Sequence, residues 1–281
     1  VRIAILGIGL IGGSLAAALR ARGVAATIVG CAPGGDAVRA REIGLIEEAF
    51  TDPVAAVRGA DWVVFAAPVP VMGSLMGQIA PALGPDTLIT DCGSTKRSVV
   101  ESARAAFGSA FSRYVAGHPI AGSERSGPDA ANPDLFRGRR WVLCPVNDDQ
   151  RAHCATLRQF LEPTGAVISE MSPDAHDQLF AEVSHWPHAV AFALGAAIGR
   201  GALADSAIEF SGGGLRDTSR IAASSPELWA GILLDNADAV LESAARYRAE
   251  LDRIIGAIEA RDRTTLVDSL EAASRWRRRL G

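Results

Sequence analysis

Over the first 170 residues, short and almost continuously apolar runs alternate with stretches whose apolar positions recur every three or four residues. The runs Arg2–Leu6, Ala26–Cys31, Asp61–Ala66, Thr87–Asp91, Arg113–Gly117, Trp141–Pro145 and Ala166–Ser169 predict strands. Apolar side chains at successive positions, rather than at every second one, predict strands covered on both faces. The helical periodicity falls at Gly12–Arg22, Asp36–Ile43, Val71–Ala80 and Lys96–Phe107. Strand, helix, strand, repeated, predicts an α/β domain built on a doubly wound parallel sheet.

From about Met171 the strand-like runs stop and stretches rich in Ala, Leu, Glu and Arg take over. The expected organisation is therefore an α/β domain over 1–170 and an all-α domain over 171–281. Ser172-Pro173-Asp174 reads as a helix start, with Pro early and an acid in the first turn. Pro187 is expected to kink the helix that follows. From Pro226 to Arg253 no Gly but Gly231 and no further Pro interrupts a pattern carrying Leu228, Ile232, Leu233, Val240, Leu241 and Leu251. Read as one helix of about 40–50 Å, it outreaches its domain, and its spare apolar surface predicts a homodimer through the helical domain. The alternative is a break near Asn236 and a single bundle.

Composition narrows the class. Apolar residues make up 48% and charged residues 21%, the balance of a soluble globular chain. A net charge of −4 argues against nucleic-acid partners that need a basic field. Cys31, Cys92, Cys144 and Cys154 form neither a C-x-x-C pair nor a zinc spacing, and so read as reduced, mostly buried thiols. No secretory leader pattern opens the sequence, and no apolar run reaches the roughly 18–20 residues of a membrane span. A cytoplasmic protein without a membrane partner is expected. Among the 28 basic residues, Lys96 is the one lysine.

Gly7-Ile8-Gly9-Leu10-Ile11-Gly12 fits G-x-G-x-x-G between a strand and a helix. Gly7 permits the tight turn, Gly9 lets the backbone approach a pyrophosphate, and Gly12 lets helix and strand pack closely. The free N–H groups at the helix start, around Leu10 and Ile11, then face the phosphates. The pattern predicts a dinucleotide site of the kind found in Rossmann-like domains, the alternative being a purely structural glycine turn. Ala32 after the second strand, and Ala67 and Pro68 after the third, lie where the rest of the cofactor passes. The acid that binds an NAD ribose is missing from Gly30-Cys31-Ala32-Pro33-Gly34-Gly35. A bare position removes repulsion of a 2′-phosphate, so NADP is expected, with NAD the alternative should Asp36 fold back. Arg39 and Arg41 follow on the next helix.

Polar segments interrupt the pattern where such a sheet places its chemistry. Asp91-Cys92-Gly93-Ser94-Thr95-Lys96 contains the lysine, and Ser94 or Thr95 is also a candidate helix cap. Gly117-His118-Pro119-Ile120-Ala121-Gly122-Ser123-Glu124 puts a histidine, able to titrate near neutrality, at a strand end. Ser184-His185-Trp186-Pro187-His188 puts two histidines on one helix face, with His176 and Glu182 nearby. Such a pair could serve a metal, but H-E-x-x-H is absent and no third ligand has standard spacing, so none is expected. Gly212-Gly213-Gly214-Leu215-Arg216-Asp217-Thr218-Ser219-Arg220 adds paired arginines suited to carboxylates.

Together, G-x-G-L-I-G-G-S, D-C-G-S-T-K, G-H-P-I-A-G-S-E-x-S-G-P, S-H-W-P-H and G-L-R-D-T-S-R-I-A resemble the prephenate/arogenate (cyclohexadienyl) dehydrogenase family of tyrosine biosynthesis, in order and over essentially the whole chain. The resemblance implies oxidative decarboxylation of a small cyclohexadienyl substrate with hydride transfer to NAD(P)+. It implies that His118 accepts the proton of the ring hydroxyl and that Ser94 hydrogen-bonds that hydroxyl. It also implies that Arg220 binds a substrate carboxylate with Asp217 orienting it, that His185 and His188 line the pocket, that Ser123 lies near the substrate side chain and that Glu124 lies at the mouth. With no further domain in the sequence, control by an appended domain is not expected. The alternatives are an oxidoreductase of the β-hydroxyacid or pyrroline-carboxylate type, whose hydroxyacid form needs a lysine in the helical half, and a non-catalytic NAD(P)-binding regulator.

Overall fold

The structure is a computed structural model and describes residues 1–123 and 125–280. The first part runs β1 (Arg2–Leu6), α1 (Leu10–Ala21), β2 (Thr27–Cys31), α2 (Asp36–Glu42), β3 (Glu48–Phe50), α3 (Pro53–Val57), β4 (Trp62–Phe65), α4 (Val69–Ile79), β5 (Leu88–Asp91), α5 (Arg97–Phe107), β6 (Tyr114–Pro119), β7 (Arg140–Cys144), α6 (Asp148–Leu161) and β8 (Val167–Glu170). Among the described residues these strands form one eight-stranded sheet in the order β3-β2-β1-β4-β5-β6-β7-β8.

The continuous apolar runs have a direct cause. Ala4, Leu6, Val63 and Phe65 face a core shared with Met72, Met76, Val99 and Phe107 of α4 and α5. Ile3, Ile5 and Val64 face the opposite core, with Leu15 and Leu19 of α1 and Leu157 and Leu161 of α6. Both faces are dry, as the near-unbroken hydrophobicity predicts.

The α/β class holds, with one pairing reversed. β6 and β7 run antiparallel, with His118 opposite Val142 and Pro119 opposite Trp141. A parallel return needs a crossover, usually a helix. Among the described residues, the link between these strands holds no α-helix, only the short 3-10 turn Pro128–Ala130 and open turns. It crosses α1 and α2 instead, where Asn132 N–H donates to Ser14 Oγ at 3.0 Å and Arg39 pairs with Asp129. Three elements escaped the sequence reading. β3 and α3 have three and five residues, too few to show a period. α6 was legible: Asn147 caps it by accepting from Gln150 N–H at 2.9 Å.

The helical part runs α7 (Pro173–Phe180), α8 (Trp186–Gly199), α9 (Ala204–Glu209), α10 (Gly213–Ser219), α11 (Pro226–Asp235), α12 (Ala237–Glu259) and α13 (Arg263–Arg277). α7 starts as read, with Ser172 Oγ accepting from Ala175 N–H at 3.2 Å. Pro187 sits in the first turn of α8, directly after a widened π turn, Ala181–His185, in a helical run continuous with α7. A proline has no N–H to give the preceding turn, and a wider turn accommodates that loss.

The single long helix is corrected to two, broken at Asn236 (φ −109°, ψ 34°). The buried Asn236 side chain holds the break by bonding to other elements, as described below. Outside the main core, Ala181, Ala239 and Val240 form a small cluster. Leu203, Ile208, Phe210, Leu234 and Leu241 are all at least 66% exposed. No described helix is long and apolar enough to cross a membrane.

Candidate active site

The glycine loop connects β1 to α1. Gly7 has φ +104°, and a Cβ there would lie 2.5 Å from the Ala66 carbonyl oxygen. A Cβ at Gly12 would overlap the Gly7 carbonyl oxygen. Gly9 is different: a Cβ there meets nothing within 4 Å. It precedes α1 without a side-chain cap and with no acid in the first turn. The first N–H groups of the helix, at Leu10, Ile11 and Gly12, have no side-chain cap, and the space beside Gly9 is open, an arrangement that fits a pyrophosphate. β1 lies between β2 and β4, so the loop stands over the point where the strand order changes direction. Ala32 is buried after β2, and Ala67 and Pro68 lie between β4 and α4. Asp36 opens α2, and Arg39 is held by Asp129 through Nε (3.1 Å) and Nη2 (2.8 Å).

Beyond β4, the ends of β5 and β6 are tied by a buried ion pair. Lys96 Nζ bonds to Asp91 and donates to the Gly117 carbonyl at 2.6 Å, with both charged side chains fully buried. Asp91 also accepts from Gly93 N–H (2.7 Å), Tyr114 Oη (2.8 Å) and Gly117 N–H (3.0 Å). The lysine thus fixes the residue before His118 to the loop that carries Ser94. The expected caps do not form: neither Ser94 nor Thr95 caps α5. Thr95 Oγ1 bonds to Asp235, and the start of α5 is met by Asp177 from α7. The Ser94 hydroxyl has no hydrogen bond among the described residues.

His118 stands at the end of β6. Its Nδ1 lies 2.8 Å from His176 Nε2, and His176 Nδ1 lies 2.8 Å from Asp177 Oδ1. Phe180 packs edge-on to the His118 ring at 5.1 Å. Burial pushes His118 well below its ordinary value, and His176, Lys96 and His185 push the same way. Burial also lowers His176 against the pull of Asp177. Burial would raise the Asp177 carboxyl, but bonds from His176 and the backbone N–H groups of Arg97 and Lys96 hold it below the usual range. At neutral pH the chain is carboxylate, neutral ring, neutral ring.

The π turn presents His185, 1% exposed and bonded to Asn236. Asn236 Nδ2 donates to the Asp177 carbonyl (2.7 Å) and to His185 Nδ1 (3.1 Å), while its Oδ1 accepts from Arg97 Nη2 (2.9 Å). His185 Nδ1 therefore carries the lone pair and Nε2 the proton. That Nε2 is buried, makes no well-formed hydrogen bond to a described residue, and has the Ser94 backbone as its neighbour. Burial pushes His185 down to about 4, with the Ser94 backbone close enough to pull it back upward. His188 donates from Nδ1 to the Ser184 carbonyl at 2.9 Å and stacks on Trp229 of α11 at 3.4 Å. Burial lowers it, and the Arg220 charge lowers it further. Arg220 follows α10, exposed, with no hydrogen bond or ion pair to a described residue.

His176, Asp177 and Asn236 link His118 to His185, while His188 lies near enough to His185, and Arg220 to His188, for their charges to be felt. Asp217 is exposed on α10 and makes no ion pair with Arg220, so the expected orienting contact is absent. Ser123 is exposed, its Oγ accepting from Arg125 N–H at 3.2 Å within the loop. Glu124 lies outside the described residues. Among the described residues no three His, Cys, Asp or Glu side chains are grouped to hold a metal, and Glu182 is engaged by Arg246. The sequence reading missed Asp177, Asn236 and Trp229. The His176-Asp177 pair right after a helix start was the available signal for the first.

Residues 15–170 match the family model described as prephenate dehydrogenase, nucleotide-binding domain, and residues 172–272 match prephenate dehydrogenase, dimerization domain. The chain is 34% identical over 278 residues to the prephenate dehydrogenase of Bacillus subtilis, covering 98% of this chain and 75% of that protein. It is 35% identical over 279 residues to the cyclohexadienyl dehydrogenase of Zymomonas mobilis, covering 98% and 94%. Its structure is similar to that of prephenate dehydrogenase from A. aeolicus in complex with hydroxyphenyl propionate and NAD+, with TM-score 0.87, 30% identity and coverage of 100% and 98%. Synechocystis arogenate dehydrogenase gives TM-score 0.82, 30% identity and coverage of 100% of both chains.

Proposed function

We propose that this chain, which belongs to the prephenate dehydrogenase family, oxidatively decarboxylates prephenate or arogenate with a nicotinamide dinucleotide. The bound cofactor supplies the hydride acceptor. Gly7, Gly9 and the N–H groups of Leu10, Ile11 and Gly12 hold its pyrophosphate. His118 takes the proton of the ring hydroxyl through Nε2: the O–H bond breaks as hydride leaves the same carbon, and loss of the ring carboxylate as CO2 leaves an aromatic ring. Ser94 aligns the hydroxyl, Arg220 binds a carboxylate, and the His185 Nε2–H and the His188–Trp229 stack line the pocket.

The observation that carries this reading is the geometry of His118 at the end of β6, bonded to His176 through Nδ1 at 2.8 Å and with no partner at Nε2 among the described residues. A base must be unprotonated to work, and burial keeps this one so at neutral pH. A hydroxyacid dehydrogenase of the β type needs a lysine in the helical half. Lys96 lies in the sheet half and is locked against Asp91.

Two finer readings belong to the same proposal. NADP+ is preferred, because no acid stands at the end of β2. NAD+ is the competing reading, because Asp129 occupies Arg39, the nearest candidate for a 2′-phosphate. The chain works as a homodimer, supported by the exposed apolar side chains of α9, α11 and α12.

Assays with prephenate and arogenate, each against NAD+ and NADP+, test the whole. Turnover in at least one combination is expected, and none in all four overturns the assignment. A kcat/KM ratio favouring NAD+ overturns the NADP+ reading alone. His118→Asn should bind cofactor normally and lose kcat by about 10²–10⁴-fold.

A further inference from the structure

The bonds behind His118 fix where its proton sits. Asp177 is ionised and can only accept, and its two oxygens already take Lys96 N–H (2.8 Å), Arg97 N–H (2.9 Å) and Arg97 Nε–H (3.3 Å). The His176 Nδ1 that faces it at 2.8 Å must therefore carry a hydrogen. A neutral imidazole with its proton on Nδ1 has a lone pair on Nε2. That lone pair lies 2.8 Å from His118 Nδ1, which must then be the protonated nitrogen of the second ring.

We propose that Asp177 and His176 are positioning residues that lock His118 in the tautomer whose Nε2 is a bare lone pair aimed at the substrate. The proposal rests on the reading of His118 as the base and adds how that base is kept in its working form. When the substrate O–H breaks and Nε2–H forms, the ring gains one positive charge and no other proton has to move. The new imidazolium keeps its bond to His176, with the Asp177 carboxylate behind it. The groups facing this chain are Lys96, Asp91 and His185 around the rings, and Arg97 on the carboxylate. Phe180 packs against both rings, its centroid 4.4 Å from that of His176 and 5.1 Å from that of His118.

Histidine 15N–1H correlation spectra of the full chain at neutral pH test this directly. His118 should show a protonated Nδ1 and an unprotonated Nε2. A protonated Nε2 in the unaltered protein overturns the lock without needing any variant to fold. In Asp177→Asn, an amide N–H turned toward His176 reverses both bonds and moves the His118 proton to Nε2. A change of the same kind at a Ser–His–Asp triad costs about 10⁴ in kcat, and a loss of about 10³-fold with little change in KM is expected here. His176→Phe should leave His118 a mixture of tautomers, with a smaller loss of kcat. Unchanged tautomer and unchanged kcat in both folded variants also overturn the lock. If His118→Asn keeps normal turnover, the base reading fails by itself, because the spectra report the tautomer independently of catalysis.

Discussion

Single residues divide sharply by what stands beside them. Gly9 faces open space, whereas Gly7 and Gly12 face backbone. Gly9→Val should leave the melting temperature nearly unchanged while abolishing cofactor binding, measured by titration of protein fluorescence. Gly12→Val should lose both. Lys96 is the other extreme. Lys96→Met leaves Asp91 charged and unpaired in the interior, at a cost of about 3–5 kcal/mol, or roughly a 10 °C fall in Tm for a chain this size. Adding Asp91→Asn should restore part of that loss. Lys96→Arg should destabilise as well, because a planar fork replaces a point ammonium in a space closed by Gly93 and the Gly117 carbonyl. The lone lysine stood out in the sequence; its partner Asp91, five residues earlier, did not, because the spacing says nothing until the strand end and loop fold over each other.

At the scale of elements, periodicity located the strands and helices whose faces are buried locally. It failed where the deciding contact is distant. α5 was read as capping itself through Ser94 or Thr95, but the anion at its start is Asp177, 80 and 81 residues away along the chain. The break between α11 and α12 has the same origin. Nothing between Asp235 and Ala237 stops a helix by propensity alone. The Asn236 side chain makes three bonds to Asp177, His185 and Arg97 that a straight helix would not reach. Asn236→Ala should therefore cost about 2–4 kcal/mol, at roughly 1 kcal/mol per bond and more for the one to the guanidinium, read from urea unfolding. It should also lower kcat, because His185 loses the partner that fixes its ring. The π turn was equally hidden: Pro187 signals a disturbance, and only the packing around His185 shows that the disturbance widens the preceding turn.

For the whole molecule, three buried histidines impose a pH dependence. In the unfolded chain each binds a proton near its ordinary 6.5, whereas burial holds His118, His176 and His185 below that value in the fold, His185 at about 4. Acidification from about pH 6.5 therefore protonates the unfolded state first. The stability these rings contribute is complete above pH 6.5 and is lost as pH falls toward 4. His185 alone accounts for roughly 3 kcal/mol of that loss. Denaturant unfolding at pH 7 and pH 5 should show a clear fall in stability. The same sign applies to turnover: the acid limb of kcat/KM should lie below pH 6.5, since His118 remains neutral there.

The bonds that place the site also cross between the sheet and the helices. Thr95 and Ser98 reach Asp235, Arg97 reaches Asn236, and Asp177 receives the start of α5. Each half would leave the other with buried donors or a buried carboxylate lacking a mate. The nucleotide-binding half expressed alone should accordingly be much less stable than in the whole chain, and scanning calorimetry of the whole should show one endotherm rather than two. Catalytic competence and structural integrity should then be lost together, with cofactor binding failing in the same transition as the substrate pocket.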